Sequence, residues 1–302
     1  MTLSRAAFYV KHYDLALTLA SGQAFRWRRS GDAWTGVIGS RWVRLRQEPE
    51  AIRAETAAAE ADWQWLRHYL QVEVDLESIL TAFPDDPPMR DSVAACRGLR
   101  LLRQEPWECL ASFICSSTKQ IVQIEQIVGL LCRRFGQALP VPPGMDEACA
   151  FPTAERLAAA SEAELRACKM GFRAPYLSGA ARKVAAGEVD LSRLGLWPLE
   201  EARAVLLTLP GVGMKIADCV LLFAYGFQQA FPVDVWIIKA LQQLYFPKRR
   251  PKLPRLRRFS QTHFGPYSGY AQQYLFHYMR TARKGRSIQR NLLTVGQHSV
   301  EP

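Results

Sequence analysis

The sequence predicts an α+β protein in which strands come first and helices follow. Three observations carry this. Alternating runs broken by glycine and serine turns occupy the chain up to residue 47. A proline- and aspartate-rich joint spans Asp75 to Pro88. Beyond it, apolar residues recur at helical spacing through to a tight helical hairpin at about 199–225. The boundary is placed at about residue 85, giving a sheet domain over 1–85 and a helical domain over 86–302. A chain of 302 residues can bury two such cores.

Residues 13 to 47 read as strand. Leu15, Leu17 and Leu19 alternate with Asp14, Ala16 and Thr18, and Trp42-Val43-Arg44-Leu45-Arg46 alternates again. Gly36, Gly39 and Ser40 supply the turn between them. The aromatic-rich segment Ser21-Gly22-Gln23-Ala24-Phe25-Arg26-Trp27 lies between the first strands. A helix is expected near Ala59 to Leu70. Past the joint, Gln104-Glu105-Pro106 opens a helix through Trp107, Leu110, Phe113 and Ile114, with proline in its first turn. A second helix runs from about Lys119 to Phe135, with Arg133-Arg134 at its cationic end and Gly136 as its stop. Three prolines make Leu139 to Gly144 a loop, and Ser161-x-x-Glu164 is a capping box for a helix ending near Gly171. The tail after Arg280 is polar and expected to fray.

Composition narrows the class of partner. Lysine and arginine total 39 against 28 acids, a net charge of +11. A phosphate backbone uses that surplus, whereas a small-molecule enzyme has little need of it. Seven scattered cysteines include no CxxC pair, which argues against a zinc site or an iron–sulfur cluster and implies no redox cofactor. The N-terminus is too polar for a signal peptide, and nothing approaches the ~20 apolar residues of a membrane span. Basic charge alone would also suit RNA or an anionic membrane surface, so it sets only a class, that of a soluble intracellular protein of a reducing compartment.

The stretch Leu206 to Val235 organises the rest. A helix carrying Leu199, Ala202, Val205 and Leu206 runs into Leu209-Pro210-Gly211-Val212-Gly213, and a second helix starts at about Met214. Proline and glycine stop the first helix. Gly211 and Gly213 also let a nucleic-acid backbone approach the free N–H groups of the second. Lys215 stands at the mouth of that helix, Cys219 one turn on, and Asp234 in the run Phe231-Pro232-Val233-Asp234-Val235. Read by itself, LPGVG fits equally a hairpin that only holds DNA.

LPGVG-x-K-x-A-x-C followed by PVDV resembles the helix-hairpin-helix glycosylase superfamily and, within it, the 8-oxoguanine DNA glycosylase branch. SGQ-x-FRW matches the same branch, as does Gly265-Pro266-Tyr267-Ser268-Gly269-Tyr270-Ala271-Gln272-Gln273-Tyr274-Leu275-Phe276. The resemblance covers about residues 13 to 280. It implies an antiparallel N-terminal sheet packed on a helical hairpin domain, acting as a monomer on duplex DNA that contains 8-oxoguanine, without membrane contact. In that branch the lysine is the nucleophile and the aspartate the essential carboxylate, which points to Lys215 and Asp234. The Gly22 carbonyl would accept from N7–H, a donor that 8-oxoguanine has and guanine lacks. Gln272 would read the Watson–Crick edge, Phe276 would stack on the base, and Cys219 with Lys215 would form a dipole opposed to the base's, the thiol having thiolate character.

Phe172 falls where the family places a wedge beside the estranged base, and Arg173 where an arginine reads the partner cytosine. Departures are equally specific. Thr118 stands for an expected asparagine and Gln123 for a second arginine, so preference for a cytosine partner is open. Trp236 and Met279 replace a phosphate-contacting histidine and its acidic helper. The family also implies a structural cation at the hairpin, held by the backbone carbonyls of Leu207, Leu209 and Val212, and needs no other cofactor. The basic run Lys248 to Arg258 could follow a phosphate strand or be a solvated loop. A glycosylase for another damaged base and a non-catalytic DNA-binding relative stay open. Lys215, Asp234 and Gln272 together favour a bifunctional glycosylase and AP lyase.

Overall fold

The computed structural model describes residues 3–295, with side chains through Thr281. Five strands form one antiparallel sheet: β1 (Ser4–Tyr9), β2 (Arg28–Ser30), β3 (Ala33–Ile38), β4 (Arg41–Glu48) and β5 (Ala51–Thr56), in the order β1-β5-β4-β3-β2. Along β4, Val43 and Leu45 point inward while Arg44 and Arg46 are turned out, the two-residue period of a sheet with one wet face. Phe8, Ile52 and Ala54 complete the inner face, against Leu66, Tyr69 and Leu70 of α2 (Gln64–Leu70). Helix α2 starts later than Ala59, because Glu60 is held by Arg41 and by the Trp65 indole, and Asp62 accepts from the Gln64 amide.

Two sequence readings are overturned here. Leu15–Ala20 is a helix, α1, and not a strand. The Asp14 carboxylate accepts from the Leu17 amide at 2.8 Å, an N-cap, and the buried positions are Leu15, Thr18 and Leu19, at helical spacing. The Asp75–Pro88 joint is likewise mostly helical, containing α3 (Leu76–Thr81) and the start of α4 (Pro87–Ala95). Asp75 caps Ser78 and Asp86 caps Met89, so the aspartates start helices where a linker is expected.

The helical layer is built around α5 (Pro106–Cys115), in which every residue but Pro106 and Glu108 is buried. Its Glu105 cap accepts from the Trp107 and Glu108 amides. Around it pack α6 (Ile121–Phe135), α9 (Ala174–Ala185) and α11 (Met214–Val220). The proline loop is bracketed by a small ribbon of β6 (Ala138–Leu139) and β7 (Ala148–Cys149). Helices α7 (Ala154–Ala158) and α8 (Glu162–Leu165) follow, the latter opened by the Ser161–Glu164 capping box. The remaining helices are α10 (Leu199–Leu207), α12 (Val235–Ala240), α13 (Leu253–His263) and α14 (Ser268–Val295). Helix α14 runs past Arg280, where fraying is expected. Fully buried Tyr270 and Tyr274 anchor its first turns, onto which further turns add cheaply, while residues 296–302 lie outside those described.

The two layers are joined by the strap Leu101–Gln104. Its Arg103 amide donates to Tyr69 in α2, and its Gln104 amide donates to Phe223 beyond α11. Gln23 fastens the same strap. Its Nε2 donates to the Arg100 carbonyl at 2.8 Å, its Oε1 accepts from the Leu102 amide at 2.7 Å, and its own carbonyl accepts from Gln104 Nε2 at 2.7 Å.

Beneath the hairpin, Arg203 of α10 donates from Nε to Asp218 of α11 at 2.8 Å, and Arg203 also pairs with Glu200. Burial pushes the Asp218 carboxyl up to about 6, with Arg203 only partly opposing. From about pH 4, the ordinary carboxylate value, up to this raised one, the folded chain holds more protons than the unfolded. Stability is therefore expected to fall as pH rises through that window, by on the order of 3 kcal/mol, and Asp218→Asn should flatten it. Thermal unfolding of both proteins across the window checks this.

Six of the seven cysteines are buried free thiols and Cys149 is half-buried, which suits small hydrophobes. Among the described residues, no cluster of His, Cys, Asp and Glu could hold a metal ion, and no helix is long and apolar enough to cross a membrane.

Candidate active site

The hairpin delivers the first half of the site. Helix α10 ends at Leu207, and Gly211 turns the chain at φ +77°. A Cβ there would also lie 2.6 Å from that of Tyr176. Gly213 caps α11 in extended conformation, and a Cβ on it would meet open space, so the approach to the first turn of α11 is clear. Lys215 is the second residue of α11. Its Nζ donates to Ser116 Oγ at 3.0 Å and stands 5.1 Å from the Phe113 ring centre, so the end of α5 fixes where the amine points.

Asp234 is the N-cap of α12, and its Oδ1 accepts from the Trp236 and Ile237 amides at 3.0 and 2.8 Å. Burial raises its pKa above the ordinary carboxylate value. The Ile237 amide, the Lys215 ammonium, the Trp236 amide and Arg280 pull it back in part. Capping and proximity to the amine are thus combined in one carboxylate. Cys219 shares the Lys215 face of α11 but corrects an expectation. Burial pushes its thiol up to about 12, with Lys215 opposing and Asp234 and Asp218 reinforcing the rise. Burial thus favours the neutral thiol over the thiolate here.

The second half comes from α14 and the loop after α1. Gln272, Phe276 and Arg280 recur every four residues on α14, hence along one face. Gln272 is 4 % exposed, and its Oε1 is buried without a hydrogen-bond donor. Such an acceptor costs stability unless an incoming group satisfies it. The half-buried Phe276 ring carries the Arg280 guanidinium at 5.2 Å. Gly22 approaches from the sheet side at φ +83°, and a Cβ on it would collide with Ile121 of α6 and crowd Arg280. Gly22→Ala is therefore expected to cost about 1–2 kcal/mol in left-handed strain and to weaken selection of a base at this loop. Chemical denaturation and a comparison of lesion and undamaged duplex binding check it.

A third group forms one surface corner. Phe172 is 53 % exposed, with Tyr176 edge-on beside it and Arg173 4.2 Å beneath its ring. Arg173 is itself buried, donating from Nε to the Ser117 carbonyl at 2.8 Å and from Nη2 to Thr118 Oγ1 at 2.6 Å. Thr118 is exposed at φ +55°, a conformation that a β-branched residue resists and an asparagine accepts. Gln123 lies on the first turn of α6, where its Oε1 accepts from the Gln120 amide at 3.1 Å, so it is engaged in starting that helix. Met279 packs on the helical core, and Lys239 stands 5.3 Å over the Trp236 ring. The basic run 248–258 divides between a loop and the first half of α13.

At the hairpin turn, amides pair with the carbonyls of Val205, Leu206 and Leu209, while those of Leu207 and Val212 take none of these bonds. Three carbonyl oxygens in so short a turn suit a hard cation, Leu209 keeping its second lone pair for it. Arg280 and Tyr176 were not singled out from the sequence. The four-residue spacing from Gln272 through Phe276 is the signal that leads to Arg280.

Residues 6–110 match the 8-oxoguanine DNA glycosylase N-terminal domain, and residues 111–264 match the HhH-GPD superfamily base excision DNA repair protein. The chain is 36 % identical over 280 residues to the N-glycosylase/DNA lyase OGG1 of Arabidopsis thaliana, covering 87 % of this chain and 76 % of the relative. Its fold matches that of the Clostridium acetobutylicum 8-oxoguanine glycosylase/lyase, solved with double-stranded DNA bearing cytosine opposite 8-oxoG. The TM-score is 0.85 and the identity 30 %, over 92 % of this chain and 98 % of that one. MBOgg1, solved with a low-affinity DNA ligand, gives a TM-score of 0.88 at 32 % identity, over 93 % and 99 % of the two chains. On these matches, the chain belongs to the 8-oxoguanine DNA glycosylase branch of the HhH-GPD superfamily of base excision DNA repair proteins.

Proposed function

We propose that this protein removes 8-oxoguanine from duplex DNA as a monomeric glycosylase and then cleaves the strand as an AP lyase. What supports this is that Lys215 and Arg280 both act electrostatically on the buried Asp234 carboxylate, while Arg280 also lies over the Phe276 ring and beside Gly22. The junction of the layers joins a sheet domain, taken as residues 1–85, to a helical domain over 86–302. The sugar carbon C1′ is buried in a duplex, so the nucleotide must first be flipped out. Gly22 accepts from N7–H, Gln272 engages the Watson–Crick edge, and Phe276 and Cys219 supply the walls.

Lys215 in its free-amine form attacks C1′ as the bond to the base breaks, and the base leaves with the electron pair and gains a proton. Asp234 stabilises the positive charge developing on the sugar. Opening of the sugar ring gives a Schiff base, and loss of a C2′ proton expels the 3′ phosphate. Gly211, Gly213 and the α11 amides hold the backbone; the Leu207, Leu209 and Val212 carbonyls would hold a cation, whose charge would attract a backbone phosphate. Phe172 wedges into the stack and Arg173 reads the partner base, with Thr118 and Gln123 beside it.

The test is borohydride trapping on a duplex with a single 8-oxoguanine opposite cytosine. A covalent adduct together with base release is the expected result. Release without an adduct would remove Lys215 from the nucleophile's role, and binding with neither would sink the reading for this lesion.

A further inference from the structure

The Ser21 carbonyl, immediately before Gly22, accepts two side-chain donors from α14. Gln273 Nε2 reaches it at 3.1 Å and Arg280 Nη1 at 3.2 Å. Ser21 is fully buried and Gln273 is 2 % exposed, so the junction excludes water that could substitute for either donor. The Ser21 hydroxyl is also fixed, donating to the Thr18 carbonyl and accepting from Gln23 Nε2, both at 3.0 Å.

A peptide unit is planar, so pinning the Ser21 carbonyl fixes the whole plane up to the Gly22 nitrogen. Only the two torsions of Gly22 remain before its own carbonyl, and the first is held at +83°. Glycine is the residue least able to keep a carbonyl aimed by itself, because its torsions are the freest. Direction must come from its neighbours. Both donors stand on the helix that carries Gln272 and Phe276, and Arg280 also covers the Phe276 ring. One rigid helix thereby sets the edge reader, the stacking ring and the plane leading into Gly22.

We propose that Gln273 and Arg280 are positioning residues that aim the Gly22 carbonyl at N7–H of the flipped base, and so set discrimination of 8-oxoguanine from guanine. This rests on the reading of Gly22 given under Proposed function.

The experiment measures binding in a Lys215→Gln background, where turnover does not intervene. It compares duplexes carrying 8-oxoguanine or 8-oxo-7-deazaguanine, which keeps the C8 oxygen but has C–H in place of N7–H. The parent should prefer 8-oxoguanine by about tenfold, the effect of one buried hydrogen bond. Arg280→Ala and Gln273→Met should each shrink that preference to about two- to threefold, and Arg280→Lys, which keeps a donor, should restore part of it. A purely structural loss would weaken both duplexes alike, and a preference unchanged in all variants overturns the clamp. A parent preference near one overturns the Gly22 reading itself, and the clamp with it. Should Arg280→Ala fail to fold, Gln273→Met and Arg280→Lys decide the matter.

Discussion

Lys215→Gln is expected to lower strand cleavage at 8-oxoguanine roughly 10⁴-fold and to abolish the borohydride adduct. Glutamine keeps a donor for Ser116 Oγ, which Lys215 now meets at 3.0 Å, so the end of α5 should stay in place. It loses the amine lone pair that would bond C1′. Duplex affinity should change by no more than a few-fold, because the hairpin amides and the Phe172–Arg173 corner lie outside the substitution. Single-turnover kinetics with saturating enzyme separates these effects, since binding then leaves the rate unchanged. Cleavage within tenfold of wild type would move the nucleophile elsewhere.

Asp234→Asn should reduce base release by roughly 10²–10³-fold, the usual scale for removing one electrostatic group from a site. Asparagine can still accept from the Trp236 and Ile237 amides, so the start of α12 should survive. Asp234→Ala should be equally inactive and additionally lose about 1 kcal/mol of cap. The pH behaviour separates charge from fold. With the Asp234 pKa raised by burial, activity should decline on the acid side before the ordinary carboxylate range is reached. Within the window between the ordinary and the raised value, the folded chain binds more protons than the unfolded one. Ionised Asp234 then costs stability as pH rises through that window, and this slope should vanish in Asp234→Asn. Thermal unfolding at neutral pH is expected to show the asparagine variant at least as stable as wild type. A marked loss of stability there would make Asp234 chiefly a structural residue.

Much of the hairpin was legible because its residues have strong local meanings. Pro210, Gly211 and Gly213 punctuate the chain wherever they occur, and Lys215 must then stand in the first turn of α11. The alternation in β4 was legible for the same reason, since an inner face and a wet face impose it. Leu15, Leu17 and Leu19 misled because three alternating leucines fit either period. The deciding facts were a buried Thr18 and the Asp14 cap, which only the packing reveals. Strand β1 carries no legible period, its small and polar residues giving no clear alternation beside Phe8. Asp75 and Asp86 look like linker residues by composition and act as caps by position. In the site, the i, i+4 spacing puts Cys219 on the Lys215 face of α11, but the state its thiol favours depends on burial among other helices. The convergence of Gln273 and Arg280 on Ser21 spans more than 250 residues of sequence, and no local pattern encodes it.

The strap from Leu101 to Gln104 has a consequence for how this molecule can change. Gln23 lies one residue beyond Gly22; its side chain bonds the Leu102 amide and the Arg100 carbonyl, its own carbonyl takes the Gln104 side chain, and Tyr69 and Phe223 hold the strap's two edges. The loop proposed to select the damaged base is therefore part of the seam that lets sheet and helices fold as one cooperative unit. Neither layer could be cut away and leave a working half, because the remainder would keep buried polar groups with no partners. Substitutions that retune lesion choice at this loop draw on the same small margin of stability that keeps the whole chain folded. Altered selectivity should thus evolve slowly here, and preferably after stabilising changes elsewhere.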